Sequence, residues 1–241
     1  VCHKCVKPCP VDIDFGDVSI RMRNFLREQG KKKFVPAKAA AMAFLTMKDA
    51  ASIRLTRLLM VDWAYAAQRL AHRLIKPFGL IQRQTRQPPA TVGQPALRTQ
   101  VIHFLNKPMP AGLPKRTARA LLDIEDEKVV PIIRDPHKVN AADYDGDAVF
   151  YFPGCGAERL FSTVGLATQA LLYEIGAQTV LPPGYLCCGY PQIAAGEADL
   201  GQKITTDNRV LFHRVANTLN YLDINTVVVS CGTCMDQLQK Y

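Results

Sequence analysis

Cys2, Cys5 and Cys9 are spaced C-x2-C-x3-C and run directly into Pro10. Cys155, the adjacent pair Cys187 and Cys188 followed by Gly189, and Cys231 with Cys234 form a second pattern, C-x31-C-C-G, then 42 residues, then C-x2-C. These two groups use all eight cysteines of the 241-residue chain. A buried structural cysteine is the ordinary explanation of any single one, but it leaves the grouping unexplained. Grouped thiols either pair as disulfides or, as thiolates, bind metal. Disulfide frameworks belong to small secreted domains, whereas this chain is longer and shows no basic leader followed by an apolar run and a small-residue cleavage site. Metal binding is therefore the expectation, and export is not.

The first group matches the last three cysteines of the run C-x2-C-x2-C-x3-C-P, which ligates iron–sulfur clusters in bacterial ferredoxins. The first cysteine of that run would lie two positions before Val1, so the chain is expected to begin inside the motif. Such a loop turns several thiolates onto one cluster, while the cysteine before the proline reaches another. Cys9 is thus expected to ligate a different cluster from Cys2 and Cys5. The alternative is a zinc knuckle that uses His3, but His3 adjoins Cys2, a poor spacing for joint ligation.

The hydrophobic pattern tells which elements could position these groups. Asp17 reads as the N-cap of a helix to about Gly30, with Val18, Met22 and Phe25 on one face. Lys31, Lys32 and Lys33 read as a solvated turn. Helical patterning resumes near Ala37, breaks near Asp49 and continues to Lys76. There Leu59, Trp63, Ala67, Leu70 and Leu74 share a face opposite Arg54, Arg69, His72, Arg73 and Lys76. The expectation is a packed helix with its charged side in solvent; the alternative is a helix lying on an anionic membrane surface. Prolines from Pro77 to Pro114, with a short helix from about Leu97 to Leu105, mark a connector, and Asp123 to Asp147 reads as further linker.

After Asp147 the pattern changes. Ala148–Phe152 is a short apolar run of β-forming residues, followed by a helix to about Ile175 and a strand near Thr179–Leu181. A long helix lies within residues 196–222, and Thr226–Ser230 is a last strand running into Cys231. Strands alternating with helices predict a small parallel α/β domain. In an open parallel sheet the loops beyond the carboxyl ends gather on one rim, so Cys155, Cys187, Cys188, Cys231 and Cys234 are expected to converge there. Gly154, Gly156, Gly189 and Gly232 would let backbone amides approach the sulfurs. The expected division is a ferredoxin-like fragment with its helix in residues 1–30, a basic helical connector in 31–145 and a cysteine-rich domain in 146–241.

The net charge of +9 hides an asymmetry: residues 21–119 hold 20 Lys and Arg against Glu28, Asp49 and Asp62, hence +17, while the remainder holds 10 basic and 18 acidic residues, hence −8. An anionic partner would favour the middle. Nucleic acid is not expected, since the basic segment has few aromatics and no binding motif. No apolar stretch reaches the ~20 residues of a membrane span. No Gly-rich dinucleotide fingerprint or nucleophile pair is found, so substrate chemistry is not expected of this chain alone.

The second cysteine pattern resembles the cysteine-rich CCG domain of heterodisulfide reductase and of iron–sulfur subunits in glycolate oxidase, lactate-utilisation and anaerobic glycerol-3-phosphate dehydrogenase systems. The resemblance covers about residues 148–241, with residues 1–30 as a ferredoxin-like part before it. In detail the sequence is similar to the C-terminal part of bacterial fused FAD-binding oxidoreductases, where a flavin domain like that of D-lactate dehydrogenases precedes both iron–sulfur parts. The resemblance implies metal ligation by Cys155, Cys187, Cys188, Cys231 and Cys234, as a 4Fe-4S cluster, noncubane in some members, or as zinc in others. It also implies FAD in a preceding domain or in a partner, a flavin-binding dehydrogenase as that partner, and a quinone or other electron acceptor. The implied activity is oxidation of a 2-hydroxy acid such as D-lactate or glycolate, with this chain carrying electrons. Two rivals are a cluster that itself cleaves a disulfide, as in heterodisulfide reductase, and a structural zinc module. A cytoplasmic location is expected, with the bulk charge favouring peripheral attachment to the cytoplasmic face of a membrane.

Overall fold

A computed structural model describes residues 6–31, 36–78, 97–135 and 147–241. Cys2, Cys5, most of the predicted lysine turn, much of the proline-punctuated connector and the expected boundary at 145/146 lie outside the described residues. The chain divides into two units, one formed by Val1–Ala50 with Arg116–Tyr241 and the other by Ala51–Lys115.

The first unit is built on four strands, β1 (Ile132–Ile133), β2 (Ala148–Phe152), β3 (Gln178–Val180) and β4 (Thr226–Val229), in the order β1-β3-β2-β4. β2 is central and parallel to both neighbours, with Phe150 opposite Val180 on one side and Val227 on the other. β1 runs antiparallel to β3, placing Ile132 opposite Val180. The unit is thus α/β, as the alternation predicts, but its sheet is mixed rather than wholly parallel. The extra strand falls in the stretch read as linker, because two residues are too few to show a period.

Successive residues of β2 point to opposite faces, and both faces are covered. Phe150 and Phe152 pack with Val180, Leu186, Val215 and Leu219, while Val149 and Tyr151 pack with Leu172, Ala177 and Leu181. Burial on both sides is why β2 reads as a continuous apolar run rather than an alternating one. Helix α1 (Phe15–Glu28) is capped by Asp14, not Asp17: its Oδ1 accepts from the amides of Gly16 at 2.7 Å and Asp17 at 3.3 Å. Gly30, at φ +64°, supplies the predicted stop. Ile20 is the side of α1 that enters the core, whereas Val18, Met22 and Phe25 are exposed. Helix α2 (Pro36–Thr46) completes the amino-terminal part of this unit.

The second unit carries most of a continuous helical rod: α3 (Ala50–Arg57), a π segment (Leu58–Trp63), α4 (Ala64–Ile75) and a 3-10 turn (Lys76–Phe78). A further helix, α5 (Leu97–Asn106), follows. The rod overturns the expected polarity of this segment. Leu59, Trp63, Leu70 and Leu74 are exposed, and the buried residues are Ile53, Arg57, Val61 and Gln68. The reason lies in the facing segment, whose backbone carbonyls need donors. Gln68 Nε2 donates to the carbonyls of Phe104 at 2.8 Å and Lys107 at 2.9 Å, and its Oε1 accepts from the Met109 amide at 2.8 Å. His72 Nδ1 lies 2.6 Å from the Leu105 carbonyl, and Arg69 donates to that of Pro110 at 2.9 Å. Among the described residues no helix is long and apolar enough to cross a membrane.

Candidate metal centre

Because β2, β3 and β4 are parallel, their carboxyl ends share one edge, and each is followed by cysteine. Helix α6 (Ala118–Leu122) precedes the sheet, and α7 (Gly154–Arg159) follows β2 with Cys155 in its first turn. After α8 (Ser162–Glu174) and β3, a loop brings Cys187 and Cys188 to the start of α9 (Tyr190–Ala194). After α10 (Ala198–Thr218), β4 leads through Ser230 to Cys231, the N-cap of α11 (Gly232–Leu238), whose first turn holds Cys234. Leu172 of α8 packs on one face of the sheet, and Val215 of α10 belongs to the core on the other. The chain therefore leaves β2 towards one face and returns to β4 from the opposite one, which opens a crevice at the carboxyl edge.

All five cysteines of this edge are free thiols; Cys187, Cys188 and Cys234 are buried, Cys155 is partly buried and Cys231 is exposed. They form a file of hydrogen bonds, Cys155 to Cys187 to Cys188 to Cys234 to Cys231, with Cys231 within electrostatic reach of Cys155. Donation to Cys187, followed by burial, drives the Cys155 thiol far above the usual range. Cys187 gains from accepting that bond, yet its own donation to Cys188 and its burial leave it pushed up to about 11. Cys188 likewise gains from Cys187, but donation to Cys234 and burial push it up to about 12. Cys231 is the exception: burial raises it, but the amides of Cys234 and Thr233 and the side chains of the same two residues outweigh that and lower it. Among the described residues no group of three or more His, Cys, Asp or Glu is spaced to hold a single metal ion.

Backbone amides are the part of the surroundings that favours charge on sulfur. The amides of Gly189 and Tyr190 point to Cys187 and Cys188, as those of Thr233 and Cys234 point to Cys231. Glycine is required at two of the four predicted places. At Gly154, φ +72°, a Cβ would stand 2.7 Å from the Cys234 sulfur; at Gly189, φ +82°, it would stand 2.9 Å from the Gly201 carbonyl. A Cβ at Gly156 or Gly232 would meet nothing within 4 Å, so those two are not needed for a close approach. Gln192 is fully buried, with Oε1 3.8 Å from the Cys187 sulfur and Nε2 left without an acceptor. An orphaned N–H beside a sulfur is an expensive feature unless something acidic or anionic meets it.

Sequence reasoning missed the residues that hold these loops. Asn208 Nδ2 donates to the Cys187 carbonyl at 2.7 Å, and Tyr241 Oη donates to the Cys188 carbonyl at 3.0 Å while stacking on Phe212. Arg119 Nε and Glu158 Oε1 form an ion pair of 2.6 Å, both side chains at most 2% exposed, and Arg119 also donates to the Pro182 carbonyl at 2.7 Å. Arg159 lies over the Tyr185 ring and donates to the carbonyls of Phe44 at 2.5 Å and Met47 at 2.6 Å. Glu158 and Arg159 directly follow the Cys155 motif, but adjacent opposite charges read as solvated, and only a distant Arg119 reveals the pair. Cys9 stands outside the five-thiol file; its sulfur accepts from the Ile13 amide at 3.4 Å.

Residues 149–239, which contain the whole file, match the cysteine-rich domain family named CCG. This stretch is similar to the CCG domain. The chain is 30% identical over 93 residues to "Probable glycolate oxidase iron-sulfur subunit" of Bacillus subtilis, covering 39% of this chain and 19% of that protein. It is 30% identical over 90 residues to a subunit of the CoM/CoB fumarate reductase of Methanothermobacter marburgensis, covering 37% and 17%. It is 24% identical over 129 residues to an uncharacterized iron-sulfur protein of Methanococcus maripaludis, covering 54% and 22%. The match thus spans about a fifth of the length of these relatives. No solved structure matches the chain. The CCG signature itself, the Cys187-Cys188-Gly189 turn, is where the glycine's positive φ lets both sulfurs meet the amides that follow.

Proposed function

We propose that Cys155, Cys187, Cys188, Cys231 and Cys234 ligate an iron–sulfur cluster, and that the chain is the electron-transfer module of a flavin-dependent oxidoreductase. The observation that carries this reading is the convergence of five free thiols on one sheet edge, with backbone amides aimed at the sulfurs of Cys187, Cys188 and Cys231. The donor set fits: sulfur ligands are soft, and the crowding that holds the protons of Cys155, Cys187 and Cys188 tightly is relieved when cations replace those protons. When bound, such a cluster supplies one-electron redox chemistry. Gly154 gives Cys234 room, Gln192 Oε1 faces the Cys187 sulfur, and Asn208 and Tyr241 fix the carbonyls of the paired cysteines.

The names of the glycolate oxidase and fumarate reductase relatives support a place within a multi-subunit oxidoreductase. The module receives electrons from a reduced FAD on another domain or chain that oxidises a 2-hydroxy acid such as D-lactate or glycolate. It passes them to a quinone or another acceptor. Cys2, Cys5 and Cys9 supply the ferredoxin-like site, Cys9 serving a different cluster from the other two.

Iron, acid-labile sulfide and zinc measured on protein purified without oxygen test the reading. About four iron and four sulfide per five-cysteine site are expected, and Cys187→Ser with Cys188→Ser should remove that share alone. Zinc as the only metal would replace the relay by a structural site. A second reading rests on Cys231, whose exposed, acid-shifted thiol suits thiol–disulfide exchange. Turnover of a disulfide substrate by the reduced protein, lost in Cys231→Ser, would move the assignment from relay to catalyst.

A further inference from the structure

The helical rod from Ala50 to Phe78 is built the wrong way round for a soluble helix. Its buried line contains Arg57 and Gln68, and its exposed line is Leu55, Leu59, Trp63, Leu70, Leu74 and Phe78, with Trp63 64%, Leu74 62% and Phe78 74% exposed. These six positions fall in steps of four either side of one seven-residue gap. In an unbroken α-helix each step of four advances about 40° round the axis, so such a line would wind away from one face. The wider turn of the π segment Leu58–Trp63 takes back part of that drift. A contiguous apolar line of this kind on a soluble unit marks an interaction surface.

Charge selects the partner. Residues Ala51–Lys115 hold ten Lys and Arg against Asp62 alone, hence +9, and Arg54, Arg73 and Lys76 are exposed beside the apolar line. An exposed apolar line bordered by cations, with an indole in its middle, has the make-up of a helix that lies in the headgroup layer of an anionic bilayer. We propose that the second unit binds anionic lipid surfaces through this line, with Trp63 at its centre. The metal centre, which lies on the other unit, takes no part in this binding.

Trp63 is the one tryptophan of the chain, so its emission reports on this face without labelling. The full chain is mixed with vesicles of phosphatidylcholine, with or without about a third phosphatidylserine, and followed by flotation and fluorescence. The expected result is flotation with the anionic vesicles only, a blue shift of Trp63 emission, and release when salt rises from about 0.05 to about 0.5 M. Leu70→Ser with Leu74→Ser, both at exposed positions, should weaken partition about tenfold or more, and Arg73→Glu with Lys76→Glu should do so on anionic vesicles. Three outcomes would overturn the proposal. They are no flotation, flotation without a Trp63 shift, and a Trp63 emission already blue without lipid, which would mean that protein covers the line.

Discussion

In the sheet-bearing unit the core is apolar and the buried polar side chains sit where loops must be held: Arg119 on Glu158 and Pro182, Asn208 on Cys187, Arg159 on Phe44 and Met47. In the helical unit polar side chains share the packing with Ile53 and Val61, since Gln68 and His72 bind the carbonyls of Phe104, Leu105 and Lys107, and an apolar line faces out. The same chemistry, long polar side chains meeting backbone carbonyls, serves two ends. In the first unit it positions reactive thiols over a hydrophobic foundation, and in the second it releases hydrophobic residues from the interior for use at a surface. Substitutions that respect one logic should therefore violate the other.

The largest effect is expected at the ion pair. Arg119→Met leaves Glu158 buried without its partner and should cost about 3–5 kcal/mol, read as a lowered urea midpoint of the sheet-bearing unit. Arg119→Met with Glu158→Met should recover part of that loss, because no carboxylate is then buried without its partner, while the buried Arg159 loses the attraction of Glu158. A double variant as damaged as the single one would show that Arg119 acts through the Pro182 carbonyl rather than through Glu158.

Next in size is Gly154→Ala. The new Cβ is forced into the left-handed region at φ +72° and 2.7 Å from the Cys234 sulfur, for a cost of about 2 kcal/mol or more. Iron content should fall with it, while Gly156→Ala, whose Cβ meets nothing within 4 Å, should leave iron unchanged. Equal iron in both variants would separate the Gly154 contact from metal loading.

Much of the sheet-bearing unit was legible because burial on both faces writes itself into sequence: Ala148–Phe152 reads as a strand, and the cysteines follow strand ends. β1 was not, since two residues held by a neighbour's edge carry no period of their own. Nor were Arg119, Glu158 and Arg159, because charge reads as exposure and the pairing of residues 119 and 158 is a property of the fold. In the helical unit the period was read correctly and its orientation wrongly. Periodicity tells that Leu59, Trp63, Leu70 and Leu74 share a side, but which side faces inward depends on a carbonyl-rich segment some forty residues away.

The smallest expected effects make the sharpest test of that inversion. Gln68→Leu replaces a polar side chain by an apolar one at a buried site, a change that would help an ordinary core. Here it strands the Met109 amide and two carbonyls and should cost about 1–3 kcal/mol, with faster amide exchange over residues 104–109. Leu70→Ser makes the opposite change, apolar to polar, on the 57% exposed line, and should shift stability by no more than about 0.5 kcal/mol. Its near-neutrality is the informative result, because a leucine whose removal costs nothing to folding is free to be used in binding. If Leu70→Ser instead destabilised the unit as a core substitution does, the line would be packed against protein in solution.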